Sequence, residues 1–424
     1  MANYELRIET SEMKKALDVL STVVNKKNSM PILGCACIRY HRDRKLFTIT
    51  AGNSEQWLTM ECWKKDEKAE RGYREWIFLD KDSKEQPLDA FCITVDAFRE
   101  AFSMLPSLPA QCYLKIDENG GSLRVNHSKG EFTMPINECG AADQYPEVPA
   151  VVEKGGELQN GITPVVKFSI KSNEILPVIS AARVCAANDE LRPVMNTVCV
   201  DCFHDRMVIV SSDGHSLFKK SIDTGLGWMR YGEFPVDQSA KVLIPKQALT
   251  PLVKALEQSE DIMLTADTQR ISVQSGDGGI RLTTVCIDGK YPNYESVIPK
   301  DNHHQLLIDR QEMNTTLRRI SLFSAEGSNL AILRKEDEHV ILNASDEGYG
   351  RNANEQVSIV NNESTTLPDG FEIGFKIATM QQLLGCISTD NVLLELGEPN
   401  KAMLVKEDAK VSSVTLLIMP MLVQ

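Results

Sequence analysis

The sequence predicts an α+β protein made of three tandem copies of one unit, each with two helices plus antiparallel sheets. Three observations carry this. Helix-like segments with a common plan begin near Ser11, Ser172 and Asp309. A second helix-like segment follows later in each third, and two or three alternating strands follow it. The first two copies then end in similar connectors, "DQYPEVPAV" and "GKYPNYESVIPKD", which share a Tyr-Pro pair at Tyr145-Pro146 and Tyr291-Pro292. Self-similarity along a chain is the signature of a repeat architecture.

The elements follow in order. "SEMKKALDVLSTVVNKKNSMPILGCACI", "SNEILPVISAARVCAANDELRPVMNTVCV" and "DRQEMNTTLRRISLFSAEGSNLAILR" open the thirds. Each starts on a residue suited to cap a helix, Ser11, Ser172 or Asp309. Apolar residues then recur at three-to-four spacing, as at Leu17, Leu20 and Val24, and a polar break leads into a β-rich run. The second helices are "TVDAFREAFSMLP", "PKQALTPLVKALEQ" and "IATMQQLLGCIS". The strands after them are "QCYLKID", "SLRVNHS" and "EFTMPI", then "DIMLTAD", "RISVQSG" and "IRLTTVCI", then "NVLLELG", "AMLVKED" and "VSSVTLLIMPM". The apolar ending is therefore the last strand of the third copy, spanning about Val414 to Ile418. Pro420, which has no amide proton, stops its ladder there. Met421 and its neighbours are then free to line a groove. The charged run from Trp63 to Pro87 reads as a solvated insertion in the first third.

The chain of 424 residues is 42% hydrophobic and 25% charged, values of a globular protein. No run approaches the ~18 apolar residues of a membrane span. The opening "MANYELRIET" lacks the apolar stretch of a signal peptide. Eleven cysteines, an odd number, fit reduced thiols and a cytoplasmic location. Cys35 and Cys37 share one strand face and read as core. Cys199 and Cys202 form a CxxC, but residues three apart on a strand face opposite ways, and no second pair accompanies them. His303-His304 has no obvious carboxylate or thiol partner. No metal site and no cofactor are expected.

Catalytic motifs are missing too. "DGK" (Asp288–Lys290) lacks the glycine spacing and the Ser or Thr of a phosphate-binding loop, and there is no GxGxxG or GxSxG. "VIVSSDGHSLFKK" (Val208–Lys220) brings Ser212, Asp213 and His215 together. It reads as a β-turn between two strands, with a functional loop or a cytosolic enzyme site at Asp213–His215 as the alternative.

The net charge of −13 runs against nucleic-acid binding, yet the distribution matters more than the sum. Basic residues gather on the helices. Lys14, Lys15, Lys26 and Lys27 belong to the first, Arg183, Lys246 and Lys254 to those of the second copy, and Arg318 and Arg319 to the third. Matching places in three copies would give one positive surface.

"MPILG", "SSDGHSL", "YPNYESVIP" and the terminal "MPM", in this order along the whole chain, resemble the bacterial sliding-clamp family, the β subunit of DNA polymerase III. The resemblance implies three clamp domains, here 1–164, 165–299 and 300–424. The first carries the insertion at about 63–88 and a linker at about 138–164. It implies a head-to-tail homodimer closed around double-stranded DNA, held through the backbone without base readout. No intrinsic catalysis is implied. The partners implied are the replicative polymerase, the clamp loader and repair polymerases, each through a short peptide motif.

The family's peptide pocket maps onto Met195, Ser212, Gly214, His215 and Leu217, onto Pro292 and Val297 of the connector, and onto Leu417, Met419, Pro420 and Met421 of the tail. Its dimer seam maps onto Phe132 and Met134 with Leu322 and Phe323. The family's acidic exterior and basic bore would reconcile the negative total with the helix cations above as the DNA-facing set. Departures occur at Ser216 and Ser296, where basic residues are common, and at Leu422, where the usual basic residue is absent. They affect the charged rim of the pocket more than its apolar part. A scaffold without DNA would be the third reading, and would have no basic bias on its helices.

Overall fold

The structure, a computed structural model, describes residues 3–8, 10–24, 30–41, 46–62, 90–105, 110–115, 121–149, 166–203, 206–223, 239–267, 269–360, 365–409 and 414–422. The charged insertion, most of the 138–164 linker, Lys26 and Lys27 lie outside the described residues.

One order of elements runs three times. The first pass is β1 (Asn3–Ile8), α1 (Thr10–Leu20), β2 (Cys35–His41), β3 (Leu46–Gly52), β4 (Gln56–Cys62), β5 (Ala90–Thr94), α2 (Val95–Ser103), β6 (Ala110–Lys115), β7 (Ser122–His127) and β8 (Gly130–Pro135). The second is β9 (Val166–Lys171), α3 (Ser172–Cys185), β10 (Thr197–Cys202), β11 (Arg206–Ser212), β12 (Ser216–Asp223), β13 (Ala240–Pro245), α4 (Lys246–Leu256), β14 (Asp261–Ala266), β15 (Arg270–Ser275) and β16 (Ile280–Val285). The third is β17 (His304–Asp309), α5 (Arg310–Ile320), β18 (Leu330–Glu336), β19 (His339–Asp346), β20 (Arg351–Ser358), β21 (Glu372–Lys376), α6 (Ile377–Leu384), β22 (Asn391–Leu396), β23 (Met403–Glu407) and β24 (Val414–Ile418).

The helices are amphipathic, as their spacing predicts. Met13, Leu17 and Leu20 of α1, Phe98 and Phe102 of α2, and Met313, Leu317 and Ile320 of α5 are buried. Each such side chain contributes about 1.5–3 kcal/mol on leaving water. The capping expectation holds at one place among the three. Asp309 accepts a hydrogen bond from the Glu312 N–H at 2.6 Å and caps α5. Ser11 lies inside α1, which already starts at Thr10. Ser172 lies inside the first turn of α3, and its hydroxyl donates to the Glu260 carbonyl at 3.1 Å, which occupies it away from the helix. Val24 falls beyond α1, where Val23 is buried in its stead.

The chain divides into two compact units, which cut the second repeat at Pro177 in α3 and after Lys246 in α4. The sheets explain the cut. In the first unit, β4 pairs with β16 to form the eight-stranded sheet β5-β2-β3-β4-β16-β15-β14-β9. In the second unit, β12 pairs with β24 to form β13-β10-β11-β12-β24-β23-β22-β17. Half of the second repeat is thus hydrogen-bonded into each unit. Each unit also holds a four-stranded sheet, β1-β6-β7-β8 in the first and β20-β19-β18-β21 in the second.

Candidate functional site

Two of the expected pocket residues, Leu217 and Leu417, come together in the second unit, where β12 joins β24. Leu217 lies directly opposite Leu417 in this antiparallel pair, and both are buried. They belong to one cluster with Cys199, Val208, Val210, Leu243, Tyr291, Tyr294, Ala402 and Leu404. Val208 and Val210 are alternate residues of β11 and share a face. Val194 packs against this cluster, one position before the expected Met195, which is itself buried. Sequence reasoning did not place the two tyrosines in this core cluster, although the Tyr-Pro repeat had marked the connector.

Tyr294 is pinned from below. Its hydroxyl donates to Asp201 Oδ2 at 2.8 Å, and the Lys241 ammonium pairs with the same carboxylate. Asp201 is buried, so the pairing matters for its tolerance in the sheet. Burial and the Asp201 carboxylate push the Tyr294 hydroxyl well above the usual tyrosine range. Around this floor the exposed apolar groups are Val297 and Met419, at 55% and 42% exposure, and Pro292 is exposed as well.

The Ser212–Ser216 turn forms one rim. Asp213 Oδ1 accepts from the backbone N–H groups of His215 and Ser216, at 2.9 and 2.7 Å, and from the Ser216 hydroxyl at 3.1 Å. Ser212 Oγ donates to the Ser216 carbonyl at 2.8 Å. Asp213 and Ser212 are therefore turn-forming groups, and the geometry gives the alternative Asp213–His215 catalytic reading no acid–base pair. Gly214 has φ 90°, a conformation that glycine adopts without strain. The equivalent turn of the first repeat uses Asn53 Oδ1, which accepts from Glu55 and Gln56, so the turn belongs to the repeat itself. Positive charge at the rim comes from residues the motif did not mark. A Cβ on Gly214 would stand 3.4 Å from Arg192 Nη1, and Lys219 Nζ pairs with Glu295 at 2.6 Å.

The tail departs from expectation in one respect. β24 spans Val414–Ile418, and the Met419 N–H still donates to the His215 carbonyl at 2.8 Å. Pro420 then interrupts the donors, but Met421 is not free. Its N–H donates to the Gly374 carbonyl on β21 at 2.8 Å. The chain thus passes from β24, an interior strand of the eight-stranded sheet, to the edge strand β21 of the four-stranded sheet, with the proline between the two donors.

The helix cations differ in how they are held. Lys14 Nζ donates to the Leu105 carbonyl at 2.5 Å and Lys254 Nζ to the Asp18 carbonyl at 3.0 Å, while Lys15 is exposed. In the second unit Arg183 and Arg318 are exposed, and Arg319 is engaged by Glu355 at 2.8 Å. Lys246 donates to the Ala186 carbonyl, and burial first, then the Arg183 charge, lowers its pKa. Of the seam residues, Phe132 and Met134 are half-buried on β8, and Phe132 meets Phe102 edge-on at 6.1 Å. Leu322 is 71% exposed, and Phe323 beside it is exposed too.

The family profile of the DNA polymerase III beta subunit matches this chain in two parts, the central domain at residues 169–293 and the C-terminal domain at 295–422. The beta sliding clamp of Pseudomonas aeruginosa is 25% identical over 333 residues, 78% of this chain and 81% of that one. That of Caulobacter vibrioides is 22% identical over 412 residues, 95% of each. Among solved structures, a DnaN sliding clamp from Pseudomonas aeruginosa bound to griselimycin superposes with a TM-score of 0.78 at 20% identity, covering 99% of this chain and all of that one. The beta subunit of Streptococcus pyogenes DNA polymerase gives 0.79 at 17%, with the same coverage. With more than half its length matched by the profile, the chain belongs to the DNA polymerase III beta-subunit family, the beta sliding clamps.

Proposed function

We propose that the protein is a processivity factor, a homodimeric ring that encircles duplex DNA in the cytoplasm and tethers the replicative polymerase, clamp loader and repair polymerases. It needs no cofactor and performs no chemistry of its own. The domains are 1–164, 165–299 and 300–424.

The observation that carries the ring is a pattern of strand edges. The fourth strand of the first repeat, β4, pairs with the last strand of the second, β16. The fourth strand of the second, β12, pairs with the last of the third, β24. Continuing the series, the fourth strand of the third repeat pairs with the last of the first. These strands are β20 and β8, and each is instead an edge of a four-stranded sheet. Both are mostly exposed along their length. An open edge is a template for another chain. A second copy supplies the missing neighbours twice over, β8 against β20 and β20 against β8, which is the closed two-fold arrangement. Phe132 and Met134 then meet Leu322 and Phe323 of the other copy.

The DNA-facing set is Lys14, Lys15, Lys26, Lys27, Lys254, Arg183, Lys246, Arg318 and Arg319. An acidic total charge is compatible with these helix cations, because only the local charge near the phosphates acts at short range. The peptide pocket is the Leu217–Leu417 junction with Met195, Ser212, Gly214, His215, Pro292, Val297, Met419, Pro420 and Met421. Its exposed apolar groups suit one or two apolar side chains of an extended peptide. Light scattering at micromolar concentration tests the ring: a dimer supports it, and a monomer excludes it.

A further inference from the structure

Beneath the first Tyr-Pro connector, in the first unit, β2 carries Cys37 and β5 carries Cys92, directly opposite each other in register. Cys92 donates its backbone N–H to Asn137 Oδ1 at 2.8 Å, and its carbonyl accepts from the Asn137 N–H at 2.9 Å. Both backbone groups of Cys92 thus point away from β2. That makes Cys37–Cys92 a non-hydrogen-bonded pair, the closer kind, with Cα atoms about 4.5 Å apart. The separation falls within the span of a disulfide, about 4.4–6.8 Å. Both thiols are free, and they share a hydrogen bond. A cavity of about 710 Å³ opens over this face of the sheet, lined by Cys37 together with Arg39, Thr50 and Tyr145.

We propose that Cys37 and Cys92 are a reversible dithiol–disulfide site, oxidised by small peroxides that enter through this cavity.

Cys37 is the attacking thiol, because, although it is buried at 4% exposure, it lines the cavity, and Cys92 does not. The hydrogen bond from Cys92, and then the Arg39 charge two residues along the same strand face, hold the Cys37 thiol below the usual cysteine range. A thiolate is the reactive form. The Cys37 sulfur attacks one oxygen of hydrogen peroxide, the O–O bond breaks, and hydroxide leaves. Cys37 is now a sulfenic acid. The Cys92 sulfur gives up its proton and attacks the Cys37 sulfur. The S–O bond breaks, the oxygen leaves as water, and the two electrons of the dithiol have passed to the peroxide. A small thiol reductant reverses the step by exchange.

Cys35 and Cys139 share a second hydrogen bond nearby, and Cys139 is exposed. They provide the internal control. The full-length protein is treated with hydrogen peroxide under native conditions, remaining thiols are alkylated, and peptides are read by mass spectrometry without reduction. The site predicts a Cys37–Cys92 cross-linked peptide in the native protein. The peptide vanishes after dithiothreitol, is absent from Cys92→Ala, and persists in Cys139→Ser. Recovery of Cys37 and Cys92 as separately alkylated thiols overturns the proposal. So does a Cys35–Cys139 cross-link in their place, or a Cys37 that stops at the sulfenic or sulfinic acid with Cys92 still a thiol. The measurement on the native protein decides the matter even if a variant fails to fold.

Discussion

Leu217 of β12 and Leu417 of β24 face each other across the seam that joins the second and third repeats. The contact ties pocket and fold together, since the same two side chains close the sheet and floor the proposed peptide site. Leu417→Ala should cost about 2–5 kcal/mol of stability, as for a buried leucine, and should weaken peptide binding as well. Thermal or urea unfolding beside fluorescence anisotropy with a polymerase-derived peptide separates the two effects. An unchanged unfolding midpoint would place Leu417 outside the core.

The tail can be removed with a smaller effect on the fold. Deleting Met419–Gln424 removes the two backbone hydrogen bonds to His215 and Gly374, each worth about 0.5–1.5 kcal/mol. The truncated chain should stay dimeric and bind the peptide at least about tenfold more weakly, or ~1.4 kcal/mol. If it binds as tightly as the full chain, Met419, Pro420 and Met421 are not pocket residues.

The proposed ring closure would depend on exposed groups that the single chain does not need. Leu322→Glu with Phe323→Lys should leave the monomer folded, by circular dichroism, and abolish the dimer in light scattering. A backbone test is independent of these side chains. The Ile136 N–H donates to the Gly121 carbonyl, on the β7 side, so Thr133 of β8 directs its own N–H to the open edge. Thr133→Pro removes that donor and should weaken the dimer without unfolding the chain. Unaltered mass in both variants would show that the seam lies elsewhere.

The helix cations should not contribute equally to DNA binding. Lys15→Glu, Arg183→Glu and Arg318→Glu should each weaken binding to duplex DNA at low salt and flatten its salt dependence, with no change in sequence preference. Within α5, Arg319→Glu should do less than Arg318→Glu, because Glu355 already engages the Arg319 guanidinium. Equal effects from Arg318 and Arg319, measured by anisotropy across a salt series, would count against this ranking.

One ion pair gives the third repeat an acid-sensitive element. Lys335 is buried, and its ammonium pairs with Asp369 at 2.8 Å, which lowers the Asp369 pKa below the usual carboxylate value. A depressed folded-state pKa means that the stabilisation is present above the ordinary aspartate pKa. It is lost as pH falls through the lower, folded value. Asp369→Asn should remove this component of the acid dependence of unfolding. An identical pH profile in the variant would show that the pair contributes nothing.

Much of the fold was legible because it is repeated. Helix periodicity, the Val414–Ile418 strand and the Asp309 cap all come from local pattern. What sequence could not give was long-range. Nothing in "QWLTMEC" or "IRLTTV" states that β4 pairs with β16, since alternation defines a strand's faces but not its neighbour. The Arg319–Glu355 pair and the Met421–Gly374 bridge depend likewise on folded proximity. At the proposed pocket, the turn and the tail were marked by motif. Tyr291, Tyr294 and Val194 were not placed beside Leu217 and Leu417, because a buried aromatic or valine carries no sign, in one sequence, of which core cluster it joins.

A closed ring would be held on DNA by topology, and retention on a circle measures such attachment most directly. The protein is loaded onto a nicked circular plasmid by its clamp loader with ATP, the complex is isolated by gel filtration in high salt, and the circle is then cut once. A closed ring predicts that the protein stays with the intact circle despite the salt and leaves when the DNA becomes linear. Loss from the intact circle in high salt, or equal retention on circular and linear DNA, would contradict it.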